Sequence, residues 1–252
     1  MARTSITALL AGTSPSRLQR LFSQDAERVA AWVRVTAHDG LAEGQLCYGR
    51  MLLEGTGVAR DPGAALRWFQ RAAAQGNLDA INMVGRCHDM GWGTAEDPAA
   101  AAGQFRYAAD AGHAWAQYNL GHLYLDGRGV ARDRARAYAY YSQAAQQGHV
   151  RAMNLVGRCC EEGWGTGKDA RLAALWYRRS ARGGYFRGAF NYAASLQDRG
   201  LSRGARRWFT RAVQTAPEPT RSNMIAVLCR QAHSSGTRSG KADEKPGHRW
   251  GE

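Results

Sequence analysis

Gly49, Gly85, Gly121 and Gly157 stand 36 residues apart, and sets of residues around them keep the same step. Gly55/Gly57, Gly91/Gly93, Gly127/Gly129 and Gly163/Gly165 repeat in phase, as do Asp61, Asp97, Asp133 and Asp169, and Gly76, Gly112, Gly148 and Gly184. A self-similar period of roughly 20–50 residues marks stacked supersecondary units, each too small to bury its apolar face alone. Such a chain builds its core between successive units, so its length does not count domains.

Residues 80–115 illustrate one unit, which reads as two helices and two turns. The first helix, predicted over roughly Asp79 to Met90, carries Met83, Val84, Cys87 and Met90 on one apolar stripe. Gly91-Trp92-Gly93 ends it, because glycine takes the positive φ that a helix terminus asks for. Asp97 caps the second helix, and Pro98 fills its first position, where a missing N–H costs nothing. That helix turns Phe105, Ala108 and Ala109 inward and ends at Gly112. A glycine in the middle of the first helix costs about 0.8–1 kcal/mol relative to alanine, which calls for a compensating close approach. The small pairs Ala72-Ala73, Ala108-Ala109 and Ala144-Ala145 suggest a neighbouring backbone, with Trp68/Phe69, Tyr140/Tyr141 and Trp176/Tyr177 filling the layer between repeats.

The pattern A-x-x-x-L-G-x-x-Y-x-x-G-x-G-V-x-x-D, followed by an aromatic pair, A-A and Q-G, is met by Ala116, Leu120, Gly121, Tyr124, Gly127, Gly129, Val130, Asp133, Tyr140, Tyr141, Ala144, Ala145, Gln147 and Gly148. It resembles the Sel-one-like repeat, a relative of the tetratricopeptide repeat. The resemblance implies an all-α, right-handed solenoid of helix-turn-helix repeats at 44–79, 80–115, 116–151 and 152–187, with a degenerate copy at 188–216. Residues 1–43 are expected to contain a degenerate half-repeat, since Asp25, Trp32 and Gly40 precede Asp61, Trp68 and Gly76 by 36 residues. A capping helix is expected over 217–233, with Met224, Ile225, Val227 and Leu228 covering the end of the core. The tail 234–252, rich in Gly, Ser and charge, is expected to be disordered.

The formal charge is +13, and three of the 34 basic residues are lysines (Lys168, Lys241, Lys245), leaving 31 arginines. Guanidinium forks suit carboxylates and phosphates, so acidic partners are a natural expectation. Five cysteines, odd in number and without a CxxC pair, argue against a disulfide framework and against zinc. Cys47, Cys87 and Cys159 align with Met or Leu in other repeats and read as small buried hydrophobes. No apolar run approaches the ~20 residues of a spanning helix, and the opening twelve residues make a poor export signal, which favours the cytoplasm over export.

No catalytic constellation, Walker loop, dinucleotide fingerprint or metal motif is present, so neither an enzyme nor a cofactor is expected. His113 and His149 follow the turn glycine in their repeats and read as turn chemistry, not metal ligands. By analogy with the tetratricopeptide fold, the residue after the mid-helix glycine faces a concave groove; here it is Arg50, Arg86, His122 and Arg158, a basic ladder. One turn earlier stand Asn82, Tyr118 and Asn154, which would add amide and phenol hydrogen bonds. The arrangement resembles the carboxylate-gripping grooves of peptide-binding tetratricopeptide proteins. Alternatively, Arg86 and Arg158 pair with Asp89 and Glu161 and only solvate the surface.

A second pattern has period 72: Trp92 and Trp164 share one slot, which Thr56 and Arg128 fill in the other two repeats. These indoles are either exposed edge aromatics or core. The stretch from Arg171 to Arg211 holds ten arginines, among them Arg178, Arg179, Arg182, Arg203, Arg206, Arg207 and Arg211, against the single acid Asp198. The functional expectation is a noncatalytic adaptor or scaffold that holds an extended or acidic segment of another protein. The alternative is unspecific binding of nucleic acid or another polyanion through the C-terminal arginines. A third reading, taken from secreted Sel-one-like relatives that bind or hydrolyse β-lactams, is weakened because those carry paired cysteines in every repeat.

Overall fold

The computed structural model describes residues 25–236, and these residues form twelve helices and no strand. They divide into two compact units that meet between Arg132 and Asp133. Unit 1 holds α1 (Ala26–His38), α2 (Ala42–Glu54), α3 (Pro62–Ala74), α4 (Leu78–Met90), α5 (Pro98–Asp110) and α6 (Ala114–Asp126). Unit 2 holds α7 (Arg134–Gln146), α8 (Val150–Glu162), α9 (Ala170–Arg182), α10 (Phe186–Asp198), α11 (Ser202–Thr215) and α12 (Thr220–Gly236). The first ten are each 13 residues long, so the 36-residue period is two short helices and two turns. Within each unit every helix packs on the next in sequence, and in unit 2 α8 also touches α10. The opening twelve residues, read as a poor export signal, lie outside the described residues, as does the tail expected over 234–252 apart from residues 234–236, which end α12.

Helices this short are marginal on their own, so their ends are fixed chemically. Asp61, Asp97, Asp133 and Asp169 each accept a main-chain N–H of the first turn at 2.8–2.9 Å. Each such cap is worth about 1 kcal/mol. The intervening helices use Asn77, and then the Nδ1 atoms of His113 and His149, which accept from Ala116 and Ala152 at 3.2 and 3.1 Å. Those two histidines are thus helix caps. At the other end of α4, Gly91 takes φ 67° and its N–H bonds the Cys87 carbonyl.

The mid-helix glycine faces an aromatic ring, not the backbone that the alanine pairs had suggested. A Cβ added to Gly49, Gly85 or Gly157 would lie 2.5, 2.6 or 2.6 Å from the ring of Phe69, Phe105 or Tyr177. Those rings are 0–1% exposed, so the glycine lets one aromatic of each second helix sit flush on the first helix. The second glycine of each turn pair makes the backbone approach instead. A Cβ on Gly93 would strike the Pro62 carbonyl at the start of α3, and one on Gly165 would strike the Arg134 carbonyl at the start of α7. Each turn therefore rests on the beginning of a helix one repeat back.

The core of unit 1 gathers Leu46, Tyr48, Leu52, Leu66, Trp68, Phe69, Met83, Val84 and Cys87. In unit 2 Phe190, Ala212, Ala216 and Met224 form a cluster flanked by Trp208, Phe209, Val227 and Leu228. Cys87, Cys159 and Cys160 are buried and no described cysteine is bonded to another. Burial pushes the Cys87 thiol up to about 11, and burial with the neighbouring Cys160 pushes Cys159 up to about 12, so neither is a ready nucleophile. Cys47 departs from its aligned residues and is exposed.

Candidate interaction surface

The ladder residues lie on α2, α4 and α6 in unit 1 and on α8 in unit 2, each directly after the mid-helix glycine. In α2, α4 and α8 a ring packs on that glycine, and the next residue is rotated from it by about 100° round the helix. Arg50 is exposed and stands 3.7 Å from Asp79, whose carboxylate also meets His113 Nε2 at 3.3 Å. Arg86, Arg158 and His122 are half-buried. His122 packs edge-on against Tyr118 with centroids 4.7 Å apart, and Tyr118 packs against Trp115 at 5.9 Å.

Arg86 and Arg158 do more than repeat in sequence. The guanidinium of Arg86 lies over Trp92 at 4.8 Å, and that of Arg158 lies over Trp164 at 4.9 Å. The two indoles are half-buried, intermediate between the exposed edge and the core that the sequence left open. Trp92 packs its other atoms against the unit 1 core. Cation–π contacts of this kind contribute about 0.5–1 kcal/mol at exposed sites, and they hold a flexible side chain in one pose.

Asp89 meets Arg128, the residue in the tryptophan slot of the next repeat, with Nη2 at 3.0 Å from Oδ1 and at 3.2 Å from the Asp89 carbonyl, and His122 and Arg86 also act on its charge. Burial pushes the Asp89 carboxyl above the usual range, with Arg128 opposing. Glu161 accepts the Tyr177 hydroxyl at 2.8 Å.

Asn82, Tyr118 and Asn154 are buried, at 6%, 6% and 0% exposure. Asn82 Oδ1 accepts from Asn119 at 2.9 Å in unit 1, and Asn154 Oδ1 accepts from Asn191 at 2.9 Å in unit 2. These amide pairs fix the register of consecutive first helices, since an unpaired buried amide would cost about 1–3 kcal/mol. The C-terminal arginines are all exposed: Arg178, Arg179 and Arg182 on α9, and Arg203, Arg206, Arg207 and Arg211 on α11. Arg179 lies over Trp176 at 4.7 Å and Arg211 over Trp208 at 5.3 Å. Among the described residues no group of three or more His, Cys, Asp or Glu gathers as metal ligands, and no helix is long and apolar enough to cross a membrane.

Paired helices on a 36-residue period, with aspartate caps at one end and left-handed glycines at the other, place the molecule among the tetratricopeptide-like helical-repeat solenoids. The chain belongs to the Sel1-repeat family, whose Sel1 repeat matches residues 42–77, 78–113, 116–149 and 150–185. A Sel1 repeat protein from Oxalobacter formigenes is similar at 25% identity and TM-score 0.72, over 84% of this chain and 93% of that one. A protective antigen of uropathogenic Escherichia coli with an SLR fold is similar at 30% identity and TM-score 0.64, over 89% of this chain. The present chain spans 51% of that antigen's chain. Chitin synthase regulatory factor 3 of Schizosaccharomyces pombe is 39% identical over 56 residues, which are 22% of this chain and 6% of that protein. Sel1-repeat proteins are generally noncatalytic adaptors for protein interaction.

Proposed function

We propose that the chain is a noncatalytic adaptor whose first helices hold a segment of a partner protein. In unit 1 the contacts are Arg50, Arg86 and His122 on α2, α4 and α6; in unit 2 the contact is Arg158 on α8. The observation that carries this reading is the recurrence of one arrangement in both units: an arginine after the mid-helix glycine, laid on the tryptophan of the following turn at 4.8 and 4.9 Å. A ring supports the flat face of a guanidinium without taking an N–H donor, which holds Arg158 in a pose that suits a carboxylate, while Arg86 also gives Nη1 to Met83 Sδ at 3.6 Å. The buried pairs Asn82–Asn119 and Asn154–Asn191 serve this surface indirectly, by setting the register of the helices that bear the arginines.

A second reading is favoured by the exposure of seven arginines on α9 and α11, which suits a polyanion bound through charge alone. Hydrogen exchange separates the two. A partner captured at moderate salt from an extract of the source cells is expected to slow exchange in α4 and α8. Protection confined to α9 and α11 would move the function to the arginine-rich helices.

A further inference from the structure

Both units lay arginines on rings, as Arg86 on Trp92 and Arg158 on Trp164. In unit 1, Arg50 and Arg128 stand against Asp79 and Asp89. In unit 2 the first helices and their turns answer cations with rings. Trp164 carries two guanidinium groups, that of Arg158 at 4.9 Å and that of Arg134 at 5.7 Å, so the two charges are at most about 11 Å apart. One repeat on, Arg151 lies over Tyr185 at 5.8 Å and Arg187 over Phe186 at 5.6 Å, and the two rings pack together at 5.3 Å. Among the described residues no carboxylate lies within ion-pairing distance of Arg134, Arg158 or Arg187. Arg187 Nε is shielded from solvent without a hydrogen-bond partner, so any acceptor must come to the terminal nitrogens.

We propose that the ring-supported arginines of unit 2, Arg134, Arg158 and Arg187, bind an extended acidic segment of a partner protein. This rests on the adaptor reading and gives its partner a chemistry. The three arginines stand on three helices, α7, α8 and α10, which suits a chain and not a single ion. Arg158 and Arg187 stand on adjacent first helices, and packed helix axes stand about 8–10 Å apart. An extended peptide advances about 3.3 Å per residue, so acids at every third position match that step. A single-stranded nucleic acid binds by stacking bases on open aromatic faces, and here the faces of Trp164, Tyr185 and Phe186 already carry guanidinium groups.

The test uses the full chain and a fluorescein-labelled peptide of twelve residues with glutamate at every third position and alanine and serine between, followed by anisotropy at moderate salt. The unmodified protein is expected to bind it at least tenfold more tightly than the double variant Arg158→Gln/Arg187→Gln. Arg158→Lys/Arg187→Lys should fall at least threefold short of the unmodified protein, since an ammonium keeps the charge but loses the planar fork. Melting followed by circular dichroism confirms that both variants are folded. Equal affinity of the glutamine variant, full affinity of the lysine variant, or tighter binding of an oligodeoxythymidylate of equal charge would each overturn the proposal. If the peptide does not bind while the captured partner still protects α4 and α8, this inference fails and the adaptor reading stands.

Discussion

Replacing Phe105 by alanine is expected to cost about 3–5 kcal/mol of unfolding free energy, and replacing Gly85 by alanine about 1–3 kcal/mol, but the pair together less than the two added. Phe105 is 1% exposed, and a Cβ on Gly85 would stand 2.6 and 2.7 Å from two of its ring carbons. With the ring present the extra methyl must push it away. With the ring removed the methyl enters the vacated space, and the helix gains the roughly 0.8–1 kcal/mol by which alanine surpasses glycine. A urea double-mutant cycle reads the coupling directly, and at least about 1 kcal/mol is expected. Additive losses would mean that something other than the ring keeps glycine at this position.

The second large effect separates two turn glycines that both recur with the period and both take positive φ. Gly76 and Gly93 have φ of 82° and 74°, so alanine at either meets the left-handed cost of about 1–2 kcal/mol. Nothing lies within 4 Å of a Cβ on Gly76, whereas one on Gly93 would meet the Pro62 carbonyl and stand 2.8 Å from the Cα of Gly63. Overpacking against the start of α3 adds about 1–3 kcal/mol, so Gly93→Ala is expected to lose about 2–5 kcal/mol and Gly76→Ala only the first part. Equal shifts in the urea midpoint would show that the turn does not bear on the helix one repeat back.

These contrasts mark how far the sequence could be read. The helices, their aspartate caps and the glycine stops were legible because each is set by residues within one turn of one another. The partner of the mid-helix glycine was not, because the alanine pair and the preceding aromatic on the second helix both recur with the same period. Only the packing shows that Phe69, Phe105 and Tyr177 reach it. Asn82 and Asn154 were read as surface groups on account of their polarity. Each gives its side-chain oxygen to another asparagine on the next first helix, which replaces water at that oxygen as the residue is buried. Arg86 and Trp92 were treated as separate features because six residues and a helix end divide them. The left-handed Gly91 turns the chain back and places the indole beneath the guanidinium.

The surface account stands on Arg86 and Arg158, and the affinity of the captured partner for the double variant Arg86→Ala/Arg158→Ala tests it most directly. Charge-assisted hydrogen bonds contribute about 1.5–3 kcal/mol each, so binding is expected to weaken by one to several powers of ten while the melting curve shows both units still folded. Undiminished affinity in a folded double variant would contradict the account.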